Sequence, residues 1–356
     1  MLEYINQNLG IGKVTTRGKA AYFTVTNQKE IKILIDIFTN NPLNTIKQIN
    51  FLDFKEAFEL YTNTKEKSPS LIKAIRTIKG RMNTLRLDDS IPDRRDFKIT
   101  PYWLLGFVEG DGSFSVTRSY NYILAFSLIQ TFKEVALFEA IKNFILDLPG
   151  EFTNRRGNSN VVSLFMGKAV NNSKPTVSIK ITNTDFLKNV LIPFFDSLVW
   201  QSKKELDYQD WKSVLNLKLR GQHFTEEGVN LINTIINQMN NNRLSTRSKA
   251  TEKIEVVSRE LLQKEIDRLL SAPSNLEIKE DGRIFIKSLN KYYSDRGIIQ
   301  VDLLDEKGSI VETFNSLADC SKYLNISPST AGRKARDGSP VLFNNQPLYI
   351  KIKDND

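Results

Sequence analysis

The stretch Leu104-Leu105-Gly106-Phe107-Val108-Glu109-Gly110-Asp111-Gly112 decides how the rest of this chain is read. It is apolar, carries glycines four residues apart, and closes on two acids and a third glycine. On a helix, positions i and i+4 share a face, so Gly106 and Gly110 line up. Glycine inside a helix costs about 1 kcal/mol relative to alanine. Two in one short helix call for a reason, and close backbone contact with a second helix supplies one. The helix delivers Asp111 at its C-terminal end, with Gly112 placed to stop it. A carboxylate there can bind a divalent cation at the base of a helix pair. Glu109 points away from Asp111 on such a helix and reads as structural.

The chain has 356 residues, room for two or three domains. It carries 50 Lys+Arg against 41 Asp+Glu, a formal net charge of +9. That excess favours a polyanionic partner through its field. One cysteine, Cys320, excludes an intramolecular disulfide and a Cys-based zinc finger. One histidine, His223, excludes a two-His metal site. It sits in a polar stretch with no nucleophile elbow nearby and reads as a surface residue. Metal chemistry is therefore left to carboxylates, which suit hard cations. No apolar run reaches about 18 residues, so no membrane-spanning helix is expected. The start, Met1-Leu2-Glu3-Tyr4-Ile5-Asn6, is neither a signal peptide nor an Arg-rich transit peptide. Either the protein stays where it is made, or this start is not the biological one. Gly10-Ile11-Gly12 lacks the third glycine of a dinucleotide fingerprint and reads as a turn before a strand.

The Gly-rich acidic stretch resembles the LAGLIDADG signature of homing endonucleases and intron maturases, with Asp111 at the position of the metal-binding acid. Three later segments are also similar to that family, in its single-chain form from fungal mitochondria. They are Ile192-Pro193-Phe194-Phe195, the run from Lys203 to Trp211, and the run from His223 to Gly228. The resemblance covers roughly residues 1 to 245. It implies a mitochondrial setting, double-stranded DNA as partner, and Mg2+ or Mn2+ as cofactor.

An internal repeat, sought early because it fixes the architecture, runs through the same region. Tyr22-Phe23-Thr24-Val25-Thr26-Asn27 resembles Ser178-Ile179-Lys180-Ile181-Thr182-Asn183. Both alternate like a strand and end on Thr-Asn, a helix N-cap signal. Apolar helices follow from Ile31 and from Phe186. Then come Lys47 with Asp53-Phe54, and Lys204 with Asp210-Trp211. The two copies lie about 157 residues apart. By that spacing, the acid of the first copy would fall about 45 residues before Met1. The first copy therefore reads as a truncated unit without its signature helix.

In the second copy the expected order is a helix over 101–111, strands over 113–118 and 123–130, and a helix over 133–146. Strands over 161–166 and 177–182 and a helix over 185–198 follow. This is an α+β fold with antiparallel sheets. Two pseudo-symmetric units of this kind are expected, the first truncated at its N-terminus. The divisions expected are 1–90 for the first unit, 91–100 as linker, 101–245 for the second unit, and 246–295 as a helical linker. The resemblance implies a saddle whose concave sheet lies in the DNA major groove, where a β-ribbon fits.

Residues 296–356 have a different texture. A hairpin around Glu306-Lys307-Gly308 is followed by a helix from Ser316 to about Leu324. Ser327-Pro328 is a good N-cap and first helical residue. The second helix carries Arg333, Lys334 and Arg336 at helix-turn-helix spacing. The region resembles the small modular DNA-binding repeats appended to homing nucleases.

Hydrolysis of a phosphodiester needs an activated water and neutralised charge, which metals on carboxylates supply. Asp111 is the candidate metal ligand, helped by the Gly112 carbonyl. The resemblance puts Lys204 at the family's active-site lysine, with Lys47 its partner in the first unit; either would stabilise developing charge. Gln130 and Lys133, at the end of a strand, are candidates to position water or contact bases. Arg118, Arg155 and Arg156 are candidate base readers, since arginine is the usual reader of guanine.

The function expected is an intron-encoded, site-specific DNA endonuclease active in intron homing. Two alternatives stand beside it: an RNA-binding maturase that helps its own group I intron splice, and a DNA-binding remnant that no longer cleaves. A monomer is expected, or a dimer if the first motif is truly absent.

Overall fold

Thr100 starts the signature helix. Its hydroxyl accepts the Trp103 N–H at 3.2 Å, and Pro101 occupies the first turn, where no N–H is needed. The helix, Pro101–Asp111, buries Leu104, Leu105 and Val108. Gly112 ends it in extended conformation (φ −75°, ψ 153°) rather than the left-handed one. Glycine is required there by space: a Cβ would stand 2.6 Å from the Val108 carbonyl oxygen. The chain can therefore pass straight from helix into strand.

The computed structural model describes residues 1–18, 20–83, 97–119, 121–153, 160–170, 173–240, 257–280, 283–293, 301–314, 317–344 and 346–352. The chain divides into two units, Met1–Ser274 and Asn275–Asp356.

In the first unit the opening elements are α1 (Leu2–Leu9), β1 (Lys13–Arg17), β2 (Ala20–Thr24), α2 (Gln28–Asn40), α3 (Lys47–Asn63) and α4 (Pro69–Gly80). Gly10 and Gly12 both have positive φ and make the turn into β1, as expected. The signature helix is α5. It leads into β3 (Gly112–Thr117), β4 (Ile123–Thr131), α6 (Val135–Leu146), β5 (Ser163–Gly167) and β6 (Thr176–Ile181). A short α7 (Thr184–Phe186) runs through a π turn at Leu187–Leu191 into α8 (Ile192–Asp196). Next come α9 (Lys204–Leu219), α10 (Glu226–Asn237) and α11 (Arg259–Ser271).

The internal repeat is visible in three dimensions. The Asn27 side chain caps α2 by accepting the Lys29 N–H, and Asn183 caps α7 by accepting the Phe186 N–H at 2.8 Å. Both lysine-bearing helices, α3 and α9, begin on the lysine itself. The copies differ in their sheets. Among the described residues β1 and β2 pair alone, Val14 opposite Phe23. The second copy has four antiparallel strands in the order β3-β4-β6-β5.

The inner face of that sheet carries Phe114, Phe126, Leu128, Val177, Ile179 and Ile181, all fully buried. Phe114 is the hub. Its ring lies 5.3 Å from Tyr208, 5.4 Å from both Phe126 and Trp211, and 5.8 Å from Phe195. Each such aromatic pair adds about 1 kcal/mol beyond the burial of its area. Strands and helices of the second copy are thereby locked together. Leu262, Ile266 and Leu269 of α11 join the same core, and Arg259 pairs with buried Asp210 of α9. This helix is thus a packed layer of the unit.

In the second unit, short strands β7 (Leu276–Ile278), β8 (Ile284–Ile286) and β9 (Lys291–Tyr292) form a three-stranded sheet, where only a helical linker was expected. After them come β10 (Val301–Leu304), β11 (Ile310–Phe314), α12 (Leu317–Tyr323), α13 (Pro328–Asp337), β12 (Val341–Phe343) and β13 (Gln346–Ile352). The hairpin and the helix pair match expectation. The closing hairpin β12–β13 does not appear in the sequence reading. It completes a sheet in the order β11-β10-β13-β12, whose core holds Val301, Leu303, Cys320, Leu324, Ala331 and Ile350.

Candidate active site

Residue Asp111 is exposed at the last position of α5. The register of the next hairpin sets its neighbour. Gly112 pairs with Leu128, so Gln130, two residues further along β4, comes alongside the end of α5. The Gln130 Nε2 donates to Asp111 Oδ2 at 2.9 Å. From the other side Lys204, half-buried at the start of α9, donates its Nζ to the Gly112 carbonyl at 2.8 Å. Four of the expected site residues therefore stand together: Asp111, Gly112, Gln130 and Lys204.

Glu109 explains how Lys204 reaches this place. Its Oε1 accepts the backbone N–H of Gln201 at 2.8 Å and of Ser202 at 2.6 Å. The Ser202 hydroxyl accepts the Lys204 N–H at 3.3 Å. Trp200, just before, stacks on Tyr208 of α9 at 5.0 Å. One helical turn thus carries both the exposed acid and the anchor for the lysine loop. The structural role expected of Glu109 has a concrete form here.

Lys47 is exposed at the start of α3. Its loop is tied to the second copy of the repeat. Glu134, 5% exposed, accepts the Ile46 N–H at 2.9 Å. Asn44, also buried, exchanges hydrogen bonds with the backbone of Lys98 at 3.0 and 3.2 Å. Neither Glu134 nor Asn44 carries a sequence signal; Glu134 acts between the two copies, and Asn44 ties the loop to the backbone ahead of α5. Lys133 is half-buried beside Glu134. Arg118 is engaged with Asn237 of α10. Arg155 and Arg156 lie outside the described residues. Arg333, Lys334 and Arg336 ride on α13 of the second unit, where Arg336 Nε donates to the Gly332 carbonyl at 3.1 Å.

The candidate ligands at the end of α5 are both oxygens, the Asp111 carboxylate and the Gly112 carbonyl, while Gln130 turns its Nε2 to Asp111 and its Oε1 to the Thr131 N–H. Such a set suits a hard divalent cation. Among the described residues no three His, Cys, Asp or Glu side chains are grouped so that they could hold a metal ion. The set therefore fits a site in which Asp111 is one carboxylate and others come from outside the described cluster.

Contrary to the expectation of a surface residue, His223 is buried, 5% exposed. Its ring lies 3.8 Å from Phe224. Burial, and then the charge of Lys218, push its pKa down to about 4. Lys218 is itself lowered by burial and donates to the Tyr122 carbonyl at 3.2 Å. No described helix is long and apolar enough to cross a membrane.

Comparison with known proteins agrees with this fold. Among curated proteins, an uncharacterized mitochondrial protein RF1 of Saccharomyces cerevisiae is 25% identical over 335 residues, covering 90% of this chain and 66% of that protein. The probable intron-encoded endonuclease 3 of Neurospora crassa is 27% identical over 235 residues, 60% of this chain and 40% of its own length. The chain thus spans between four tenths and two thirds of these relatives. Among solved structures, the LAGLIDADG homing endonuclease I-GzeII in complex with its DNA target aligns with a TM-score of 0.54 at 25% identity, over 68% of this chain and 84% of that one. The meganuclease I-SmaMI bound to uncleaveable DNA aligns with a TM-score of 0.55 at 23% identity, over 68% and 83%. The family model described as LAGLIDADG endonuclease matches residues 1–58 and 104–215. The first segment reaches into the lysine-bearing helix of the first copy; the second runs from the signature helix into α9. With its signature helix, its repeat and its fold in agreement, the chain is similar to the LAGLIDADG endonuclease family over those two segments.

Proposed function

We propose that this protein is an intron-encoded, site-specific DNA endonuclease of mitochondria, hydrolysing phosphodiester bonds with a divalent cation, Mg2+ or Mn2+. The observation that carries the reading is the cluster at the end of α5. An exposed carboxylate, a strand-end amide and a lysine converge there beside a four-stranded sheet. DNA-bound I-GzeII has the same fold.

Asp111 and the Gly112 carbonyl would hold the cation. When bound, a divalent cation makes water acidic enough to attack at neutral pH and neutralises phosphoryl charge. Gln130 fixes one Asp111 oxygen and leaves the other for the cation. Lys204, oriented by its bond to Gly112, offers a positive charge to the phosphate in the transition state. Lys47 plays the same part from the first copy. The basic face of α13 adds phosphate contacts outside the cleavage site, which strengthen binding without reading bases.

The test is cleavage of the intronless junction of the host gene by the full chain and by Asp111→Asn, with binding to intron RNA measured in parallel. Scission that the variant loses while still binding the duplex is the expected result. No scission by either protein, with tight RNA binding that both retain, would replace this reading by a splicing maturase.

A further inference from the structure

The outer face of the four-stranded sheet has an unusual make-up for a surface that reads DNA. Register places Ile129 of β4 opposite Ser178 of β6, and Ser178 opposite Phe165 of β5. The next row is Ser127, Lys180 and Ser163. At the far end of the first hairpin, Ile123 faces Thr117. Among the described strand residues of this face, Lys180 is the one charge, and there is no acid, asparagine, glutamine or arginine. Ile129, Phe165 and Ile123 are 56%, 51% and 47% exposed. The remainder are small or hydroxyl-bearing.

These side chains restrict what the face can read. Guanine is recognised by arginine or lysine, and adenine by the paired donor and acceptor of asparagine or glutamine. Serine and threonine hydroxyls bond to several base edges. The one apolar group in the major groove of unmodified DNA is the thymine methyl. Three large apolar side chains held in water on a strand face match that group. Ile129 and Phe165 stand two strand spacings apart, about 10 Å, so they address positions no more than about three base-pair steps from each other.

We infer that the second copy of the repeat reads an A·T-rich half-site by contact of Ile129 and Phe165, and further out Ile123, with thymine methyl groups. This rests on the DNA-binding reading above and names the substrate class of that surface. A methyl buried against such a side chain contributes about 0.8 kcal/mol, a factor of about four in affinity.

The experiment selects duplexes bound by the full chain from a randomised library. Each thymine of the recovered half-site is then replaced singly by deoxyuridine, which lacks only the methyl. One or two replacements should weaken binding about four-fold each. In Ile129→Ser or Phe165→Ser the same replacement should cost nothing at the matching position. Affinity for random DNA, set by phosphate contacts, should stay at the wild-type value and shows that the variants are folded. Recovery of a G·C-rich half-site, or indifference to deoxyuridine at every position, would overturn the inference and leave the DNA-binding reading intact. Failure to enrich any duplex, with tight binding to intron RNA, would overturn both.

Discussion

The helices α3 and α9 are the same element of a repeat, each beginning on a lysine, yet they are fastened in different ways. The loop before Lys204 is held by Glu109 of the signature helix in its own copy. The loop before Lys47 is held by Glu134 of the second copy and, through its own Asn44, by the Lys98 backbone ahead of α5. Lys204 is half-buried and bonded to the Gly112 carbonyl, whereas Lys47 is exposed. A repeat element thus keeps its starting residue while the groups that hold its loop differ. What changes is the anchor.

Catalysis should expose that difference most strongly. Removing a preorganised cationic group from a site of developing charge commonly costs on the order of 100- to 1,000-fold in rate. Lys204→Met is expected to lose that much in single-turnover cleavage. Lys47→Met, whose lysine is exposed and has no side-chain partner among the described residues, is expected to lose about ten-fold or less. Equal losses would mean that DNA binding orders both lysines alike.

Stability should separate the two anchors next. A hydrogen bond to a charged group contributes about 1.5–3 kcal/mol. Glu109 accepts two backbone N–H groups and Glu134 is seen accepting one. Urea unfolding should therefore show a loss of about 4 kcal/mol for Glu109→Ala and at least about 2 kcal/mol for Glu134→Ala. A larger loss for Glu134→Ala would make the contact between copies, rather than the signature helix, the main fastening.

A third contrast lies at the far end of α9. The positions 157 residues before Lys218 and His223 are Tyr61 and Glu66, both exposed. Only the second copy carries a buried histidine there. The folded protein takes up that proton near pH 4, the unfolded chain near pH 6.5. Below pH 6.5 the unfolded state therefore binds more protons, and stability falls as pH drops from about 6.5 to about 4. The full loss is about 3 kcal/mol. In His223→Leu, denaturant midpoints should be flat across that window; a slope that persists would assign it to carboxylates.

These contrasts also mark how far the sequence could be read. The signature helix, the strand alternation around Phe114 and the Thr-Asn caps are local patterns, and each formed where its pattern predicted. The meeting of Asp111 with Gln130 follows from hairpin register, so it too was within reach. Glu134 was not, because its partner at Ile46 lies 88 residues away and the bond ends on a backbone N–H that has no side-chain signature. His223 misled because a polar sequence neighbourhood does not reveal that the tertiary fold buries the ring against Phe224. The strands β7 to β9 are two or three residues long, too short to show a period. In the second unit, β12 and β13 complete a sheet around a small core that local alternation does not announce.

The smallest effect tests the reason for the glycines themselves. Gly106 and Gly110 were expected to allow close approach of a second helix. In this chain both are exposed, and a Cβ at either would meet no atom within 4 Å. Both sit in regular helix, so alanine fits the backbone without strain. If nothing covers this face in solution, Gly106→Ala and Gly110→Ala should each stabilise the protein by up to about 1 kcal/mol, through helix propensity and a less flexible unfolded chain. If a second helix does pack there, the added methyls would clash at the closest point between two backbones. The variants would then lose stability, or lose association in sedimentation at concentrations where the wild type is paired. The sign of a change near 1 kcal/mol thus tells whether the glycine face of α5 works alone or against a partner.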